Sequence, residues 1–272
     1  MRKRFGQHFL EPAWVEKVMR VIAPEPDQTF LEIGPGRGAL TKPLASRARH
    51  VLAFEIDRDL AAELRQAGVP NVTVVEGDFL KISADRLNQE LAAIGRPPTL
   101  RVAGNLPYNV ASPILFRLIA LHAEGMPFLD ATVMLQREVS DRLTARPGTR
   151  DYGALTVLVG HSVQVERLLN LPPVAFRPQP KVFSSLVRLR FHRPSPPAKD
   201  PFRFATLVQA LFTRRRKTLS NALKAVPFKA GLVPADALVA AGLDGRRRPE
   251  TLTIPELVRL ADLFSDDTVP RG

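Results

Sequence analysis

The sequence predicts an α/β fold followed by a small all-helical C-terminal domain, and three observations predict it. Short apolar runs alternate with segments of helical period over residues 12–145. Three glycines at alternate positions, Gly34, Gly36 and Gly38, separate the first apolar run from a helical pattern. Beyond a proline-rich linker at 193–201, every periodic segment is helical.

The elements follow in order along the chain. Residues 12–23 carry apolar side chains at helical spacing, and Pro12 suits a first helical turn. Five apolar runs bounded by turn residues predict strands at 29–33, 51–55, 72–75, 100–103 and 131–135. Helical periodicity predicts helices at 39–48, 58–67, 84–94, 112–122 and 136–145. Residues 153–160 fit a helix or an extended segment, and 163–168 alternate like a strand.

A domain boundary is predicted between residues 192 and 193. Residues 176–191 combine a rigid proline loop with an alternating strand and end the first domain, 1–192. The linker then opens a second domain, 193–272. Its helices are predicted at 202–212, 215–225, 234–241 and 254–264.

Composition limits the classes of protein that need consideration. The 272 residues are 45% hydrophobic, which is enough for a full core. There are no cysteines, so disulfides and thiolate metal sites are excluded. No apolar segment follows the basic N-terminus, and no run approaches the ~20 apolar residues of a membrane-spanning helix. We therefore expect a soluble, cytoplasmic protein that binds no metal and no membrane, and we expect a monomer.

The net charge of +12 is unevenly distributed. Residues 175–272 hold 18 Lys and Arg against 8 Asp and Glu, whereas residues 1–174 hold 21 against 19. This asymmetry favours a polyanionic partner, nucleic acid before membrane, over a basic surface kept for solubility. Four cations at 214–217 begin a predicted helix, where they oppose its dipole and so suggest an external phosphate. The predicted RNA-binding residues are Arg2, Lys3, Arg4, Arg214, Arg215, Arg216, Lys217, Arg246, Arg247 and Arg248.

The glycine loop and the next strand predict a nucleoside site. Glycines after a strand allow close approach of a ligand to the backbone. Glu55 lies 21 residues after Gly34 at the end of the second strand, where an acidic residue reaches ribose hydroxyls. Asp57 is predicted to cap the helix at 58–67. The spacing G-x-G-x-G differs from the dinucleotide fingerprint G-x-G-x-x-G, and a tight turn without a ligand is the alternative.

An adenine pocket is predicted after the third strand. Asp78 can accept a hydrogen bond from an exocyclic amine, and Phe79 can line the ring. The alternative is an Asx turn at Gly77 and Asp78. The matching position of Glu55 at the end of the preceding strand favours the adenine pocket.

The turn after the fourth strand carries the sharpest chemical signal. The Asn105 side-chain oxygen and the Leu106 carbonyl, before Pro107, can both accept hydrogen bonds from a planar amine. Tyr108 offers a face on which a base can stack. The alternative is an ordinary turn with a surface tyrosine. Two other aromatic residues compete for the second wall of the base pocket: Phe176 and Phe183.

Together these stretches resemble the ribosomal RNA adenine N6-dimethyltransferases, and within them the type acting on small-subunit rRNA. The resemblance covers nearly the whole chain. It rests on FGQHFL at 5–10, EIGPGRGALT at 32–41, EID at 55–57, GD at 77–78, NLPYN at 105–109 and FRPQPKV at 176–182. RRKTL at 215–219 is similar to this type rather than to the methylases of large-subunit rRNA. One departure is His8, where the family often carries Asn.

The resemblance implies a Rossmann-like S-adenosylmethionine-dependent methyltransferase sheet with a late antiparallel strand. It implies that the protein uses S-adenosylmethionine to dimethylate two adjacent adenosines near the 3′ end of 16S rRNA, in the small ribosomal subunit. It also implies that the protein has a further role in subunit biogenesis. The cofactor contacts implied by the resemblance are His8, Leu10, Gly34, Glu55, Asp78 and Asn105, and we predict that Gly36, Ile56 and Phe79 bind the cofactor with them. The implied catalytic residues are Asn105, Leu106, Pro107, Tyr108, Phe176 and Phe183.

Three other interpretations stay open at this point. A dinucleotide-dependent oxidoreductase explains the glycines and Glu55 but leaves 105–108 and the basic C-terminal region without a role. A non-catalytic RNA-binding assembly factor would use the same fold without methyl transfer. A methylase of large-subunit rRNA would share the cofactor motifs but act on a different RNA.

Overall fold

The computed structural model describes residues 8–95, 97–224, 226 and 233–264. Their contacts divide the chain into two compact units. The first unit ends at residue 140 and resumes over 164–191, and the second comprises 141–163 and the chain from 192 onward. The division thus differs from the predicted boundary in residues 141–163, which the prediction had placed in the first domain.

The first unit alternates strands and helices, as predicted. Its strands are β1 (Phe9–Leu10), β2 (Thr29–Ile33), β3 (His50–Glu55), β4 (Val72–Glu76), β5 (Leu100–Asn105), β6 (Phe128–Gln136), β7 (Val163–Leu171), β8 (Phe176–Arg177) and β9 (Ser184–Phe191). Its helices are α1 (Pro12–Ile22), α2 (Thr41–Ala45), α3 (Arg58–Gln66), α4 (Ala84–Ala93), α5 (Ala111–Ala123) and α6 (Arg137–Leu143). The chain passes between the units within α6, at the start of β7 and after the end of β9.

Seven strands form the central sheet in the order β4-β3-β2-β5-β6-β9-β7. The neighbours from β4 to β6 are parallel, and β9 pairs with β6 in the antiparallel sense. The late antiparallel strand implied by the resemblance is therefore confirmed. All five residues of β2 are buried, as is typical of a strand covered on both faces. The carboxyl ends of the parallel strands lie at one edge of this sheet, where α/β proteins bind ligands.

A buried ion pair joins β5 to β6, and its arginine also contacts the end of α1. The Arg101 guanidinium donates to both Asp130 carboxylate oxygens, from Nε at 2.9 Å and from Nη2 at 3.0 Å. Its remaining donors reach the backbone carbonyls of Ile22 and Ala23 at 3.0 and 3.3 Å and the Gln28 side-chain oxygen at 2.8 Å. Arg101 and Asp130 are both buried, so each charge is compensated by the other and not by solvent.

Replacing Asp130 with alanine is expected to destabilise the protein by about 3–5 kcal/mol, because a buried guanidinium loses its counter-charge. Urea unfolding of both proteins measures this change. The matched control is Glu166→Ala, which removes the carboxylate of a half-exposed pair with Arg190 and should cost less than about 1 kcal/mol. Equal costs for the two substitutions would contradict the assignment.

The second unit is helical, as predicted. Its helices are α7 (Ala154–Gly160), α8 (Pro201–Thr213), α9 (Leu219–Leu223), α10 (Pro234–Ala240) and α11 (Ile254–Asp262). They share a core to which Tyr152, Phe204 and Leu257 contribute. Thr253 and Glu256 form a capping box at the start of α11, which satisfies backbone donors there.

The predicted start of the helix at 215–225 is wrong. The preceding helix ends at Thr213, and the four cations at 214–217 lie in a turn closed by the Lys217 N–H, which donates to the Arg214 carbonyl at 2.8 Å. The next helix, α9, begins only at Leu219, with Thr218 as its N-cap. The cations therefore follow the C-terminus of α8, where a helix dipole favours positive charge, and precede the N-cap of α9 instead of filling the first turn of a helix.

Candidate active site

Two adjoining cavities open at the carboxyl edge of the sheet in the first unit. The first is lined by Glu32, by the arm residues 8–10, and by parts of the loops at 34–40, 55–56 and 105–108. The second is lined by residues 77–80, by residues at the ends of β2 and β3, and by residues between 107 and 114 that follow β5. They share Gly34, Ile56 and Pro107. The structure thus brings together the three stretches that the sequence predicted to form one site.

The arm at 8–10 packs closely against the glycine loop at 34–38. Gly34, Gly36 and Gly38 all have positive φ, at 69°, 57° and 79°. A Cβ on Gly36 would lie 3.0 Å from the Phe9 ring, so a side chain there would push the arm away. The Arg37 guanidinium lies 5.0 Å from the centre of that same ring. The arm therefore forms one wall of the first cavity.

Glu55 holds the loops around it as well as lining the first cavity. Its carboxylate accepts from the Gly36 N–H at 2.8 Å and from the Asp57 N–H at 2.9 Å, and it is buried. Each oxygen keeps a second lone pair that a ribose hydroxyl can use. Asp57 accepts from the N–H groups of Asp59 and Leu60, which confirms it as the predicted cap of α3.

Asp78 forms the Asx turn and also lines the second cavity, so the two predicted alternatives for this residue occur together. One carboxylate oxygen accepts from the Leu80 N–H at 3.0 Å, which is the Asx turn. The side chain also lines the cavity, and its second oxygen remains able to accept from an amine. Phe79 is buried and packs edge to face with Phe54, with ring centres 5.8 Å apart. Burial suits the predicted apolar lining of an adenine pocket.

The backbone of the arm orients the amide of Asn105. Its Nδ2 donates to the His8 carbonyl at 2.6 Å. In the described chain, no group donates to Oδ1 or to the Leu106 carbonyl. Both oxygens belong to residues that line the first cavity. The arrangement leaves two acceptors for a planar amine, as the sequence predicted.

Tyr108 is held in place at the wall of the first cavity. Its hydroxyl shares a hydrogen bond of 2.8 Å with the Ser184 hydroxyl. Burial raises the pKa of Tyr108 above its ordinary value, so the phenol stays neutral at physiological pH. The His8 ring stacks on it with centres 5.7 Å apart and planes 25° apart. Two groups thus fix the orientation of the aromatic face.

The structure distinguishes between the two phenylalanines predicted as the second wall. Phe176 is 1% exposed and packs in the core of the first unit, so it presents no open face. Burial therefore favours Phe183 over Phe176 as the second wall of the base pocket, and the choice between them stays a prediction. Phe183 is 47% exposed and directly precedes Ser184, the partner of Tyr108. An exposed ring in this position has a face that a base can contact.

Glu32 is a candidate that sequence reasoning missed. It is 1% exposed and lines the first cavity. Its Oε2 finds no hydrogen-bond partner among the described residues. Burial raises the pKa of Glu32 to about 8, and the charge of Glu55 contributes to the rise. A signal was present in the sequence, because an acidic residue inside an apolar strand is rarely buried without a function.

The raised pKa of Glu32 predicts a pH-dependent stability. Between about pH 5 and pH 8 the folded chain holds a proton that the unfolded chain releases, so the cofactor-free protein loses stability as the pH rises. This one group contributes up to about 1.4 kcal/mol per pH unit. Glu32→Gln should remove that part of the slope in urea unfolding series. Parallel pH profiles for the two proteins would contradict the assignment.

Part of the predicted RNA-binding set forms an open basic hollow in the second unit. Arg214, Arg215, Arg216 and Lys217 line it together with Lys224. Arg215 also lies 3.3 Å from a carboxylate oxygen of Glu250.

The other predicted cations differ in how they are engaged. The Arg247 guanidinium donates to Glu256 at 2.6 Å, and Arg246 pairs with Asp244 at 3.1 Å. These two pairings compete with phosphate contacts. Arg2, Lys3 and Arg4 lie outside the described residues. Within the described ranges, no group of three or more metal-ligating His, Asp or Glu side chains is present. The helices of the described chain include none with the length and apolarity to cross a membrane.

The chain is similar over most of its length to proteins of one family. A sequence model of the family described as ribosomal RNA adenine dimethylase matches residues 1–239. Ribosomal RNA small subunit methyltransferase A of Pseudomonas fluorescens is 43% identical over 273 residues, covering 99% of this chain and 96% of the relative. The protein of the same name from Leptothrix cholodnii is 45% identical over 223 residues, covering 82% and 79%.

Two solved structures are also similar. The dimethyladenosine transferase from Plasmodium falciparum is 25% identical with a TM-score of 0.72, covering 93% of this chain and 96% of that one. The 23S rRNA methyltransferase ErmE is 29% identical with a TM-score of 0.64, covering 94% and 99%. These matches leave no support for a dinucleotide-dependent oxidoreductase. The chain belongs to the ribosomal RNA adenine dimethylase family.

Proposed function

We propose that the protein dimethylates the N6 amino groups of two adjacent adenosines in a loop near the 3′ end of small-subunit rRNA. The observation that carries this proposal is the pair of acceptor oxygens on Asn105 and Leu106, which line the same cavity as the glycine loop and Glu55. The relatives of highest identity cited above are named for the small subunit, whereas the large-subunit enzyme is 29% identical. This difference supports the small-subunit RNA as the substrate.

S-adenosylmethionine is the cofactor of this family, and the residues present fit it. The glycine loop provides close backbone approach, Glu55 provides acceptors for a ribose, and Asp78 with Phe79 provides a pocket for adenine. The unpartnered buried oxygen of Glu32 fits a positively charged group. When bound, the cofactor supplies a methyl group on a positively charged sulfur that leaves as a neutral thioether.

The chain's own residues would prepare the adenine amine. The lone pair of N6 is delocalised into the ring, so the amine is a weak nucleophile. Hydrogen bonds from N6–H to Asn105 Oδ1 and the Leu106 carbonyl would favour a pyramidal nitrogen and stabilise the positive charge that develops there. Tyr108, together with Phe183, would hold the target base after it has flipped out of the stacked RNA. Most of the acceleration of methyl transfer would then come from holding the amine in position beside the bound cofactor.

The basic hollow at 214–217 supports RNA binding by the second unit. Adjacent cations on an open surface suit the phosphate backbone rather than individual bases. Arg214, Arg216 and Lys217 are the strongest phosphate contacts in this proposal, because Arg215 is partly engaged with Glu250.

Methyl transfer from tritiated cofactor to purified ribosomal subunits tests the proposal. The substrate is small subunits from cells that lack the modification, and the controls are large subunits and fully modified small subunits. We expect transfer to the unmodified small subunit alone. Equal transfer to large subunits would contradict the assigned RNA, and the absence of transfer to any subunit would favour a non-catalytic assembly factor.

A further inference from the structure

The start of β9 connects the two aromatic side chains that are proposed to hold the target base. Phe183 immediately precedes Ser184, the first residue of β9. The Ser184 hydroxyl shares a hydrogen bond of 2.8 Å with the hydroxyl of Tyr108, which lies 76 residues earlier in the chain. One serine therefore links two rings that come from distant parts of the sequence.

Ser184 is itself held firmly in the sheet. It is 1% exposed and lies opposite Gln136, the last residue of β6. The next N–H along the chain, that of Arg137, donates to the Phe183 carbonyl at 2.9 Å. The Arg137 guanidinium also lies 5.9 Å from the centre of the Phe183 ring. Tyr108, in contrast, lies in a turn after β5 and is only half-buried. The fixed partner in this hydrogen bond is therefore the serine.

We propose that Ser184 is a positioning residue for methyl transfer, which sets the distance between the Tyr108 and Phe183 rings and so the fit of the target adenine between them. The inference rests on the proposed function, in which these two rings hold the base. Ser184 lines neither cavity, so it acts through Tyr108 and not on the substrate. Without its hydroxyl, the half-buried phenol could turn toward water. A base held less firmly would meet the methyl group less often, so the rate of transfer would fall.

Single-turnover methyl transfer to unmodified small subunits, with Ser184→Ala compared with Ser185→Ala, tests this role. Ser185 is a matched control, because it is equally buried in β9 but its hydroxyl finds no partner among the described residues. We expect Ser184→Ala to lower the saturated rate by about 10-fold through poorer positioning of the base. Ser185→Ala should stay within about twofold of the native rate, because it loses no hydrogen bond. Calorimetry with S-adenosylhomocysteine and fluorescence anisotropy with the RNA should give native affinities for both variants.

A double-mutant cycle separates positioning from support of the strand. Tyr108→Phe keeps the aromatic face but removes the hydroxyl, so it breaks the same hydrogen bond from the other side. Its rate should match that of Ser184→Ala, and the variant with both substitutions should be no slower than either one. If Ser184→Ala does not fold, Tyr108→Phe alone still reports the loss of this hydrogen bond.

The outcomes distinguish this inference from the proposed function. A native rate for Ser184→Ala or for Tyr108→Phe would overturn the inference and leave the proposed function standing. Equal losses in the two serine variants, or losses that add in the double variant, would also overturn it, because they would show that the serine supports β9 and not Tyr108. Failure of the native chain to transfer methyl groups to small subunits would instead contradict the proposed function.

Discussion

Replacing Asn105 with alanine is expected to lower the rate of methyl transfer by about 10²–10³-fold, the cost of removing one preorganised hydrogen-bonding group from a reacting centre. The variant loses the oxygen that would accept from the target amine. Cofactor affinity should be retained in part, because the glycine loop, Glu55 and the second cavity do not depend on this side chain. Single-turnover transfer on unmodified small subunits measures the rate, and calorimetry measures cofactor binding.

An aspartate at the same position separates the two tasks of the side chain. Asn105→Asp keeps an acceptor oxygen but cannot donate to the His8 carbonyl, which orients the native amide. Its rate should lie between those of the native protein and the alanine variant. A rate for Asn105→Ala within about threefold of the native rate would contradict the role of the amide, since such a change is under 1 kcal/mol.

The second large effect concerns RNA affinity. Replacing Arg214, Arg216 and Lys217 with glutamine should weaken binding to small-subunit rRNA by about 100-fold or more at physiological salt. Each phosphate contact that is lost should reduce the slope of log affinity against log salt by about 0.7–0.9, so the loss of all three should flatten the slope by about two to three units. Fluorescence anisotropy across a salt series measures both quantities.

A control with the same change in net charge is available. Arg20, Arg65 and Arg86 are exposed on helices of the first unit and lie outside both cavities. Replacing these three with glutamine should leave the salt slope nearly unchanged, because their positions are not proposed to meet the RNA. If both triple variants changed the slope equally, binding would depend on total charge and not on the hollow at 214–217.

Much of the first unit could be predicted because its signals are local. A strand that ends at glycines, an acidic residue at the end of the next strand and a capping aspartate each depend on a few neighbouring residues. The structure places Glu55 in the first cavity and Asp57 at the start of α3, as those patterns predicted. The amide of Asn105 and the carbonyl of Leu106 follow from the same kind of pattern.

The errors concern properties that distant residues decide. Phe176 was one of two candidates for the second wall of the base pocket, but β8 pairs with β1 and places this residue opposite Leu10, in the core. Periodicity could not show that 214–217 form a turn, because the apolar spacing of the two flanking helices is nearly continuous. Residues 141–163 join the second unit through contacts with segments far along the chain, such as the hydrogen bond from the Tyr152 hydroxyl to the Leu252 carbonyl.

Glu32 was missed for a different reason. The motif at 32–41 was interpreted through its glycines, whereas the importance of the acidic residue depends on burial and on the lack of a partner. Both are properties of the folded chain. The sequence likewise could not show that the His8 carbonyl orients Asn105, because every residue carries a backbone carbonyl.

Primer extension on small-subunit rRNA tests the central claim most directly. Unmodified subunits are incubated with S-adenosylmethionine and either the native protein or Asn105→Ala, and the RNA is then copied by reverse transcriptase, which stops at dimethylated adenine. We predict strong stops at two adjacent adenosines near the 3′ end with the native protein and very weak ones with the variant. Stops at other positions, or equal stops with both proteins, would contradict the assignment of residues 105–108 as the grip on the target amine.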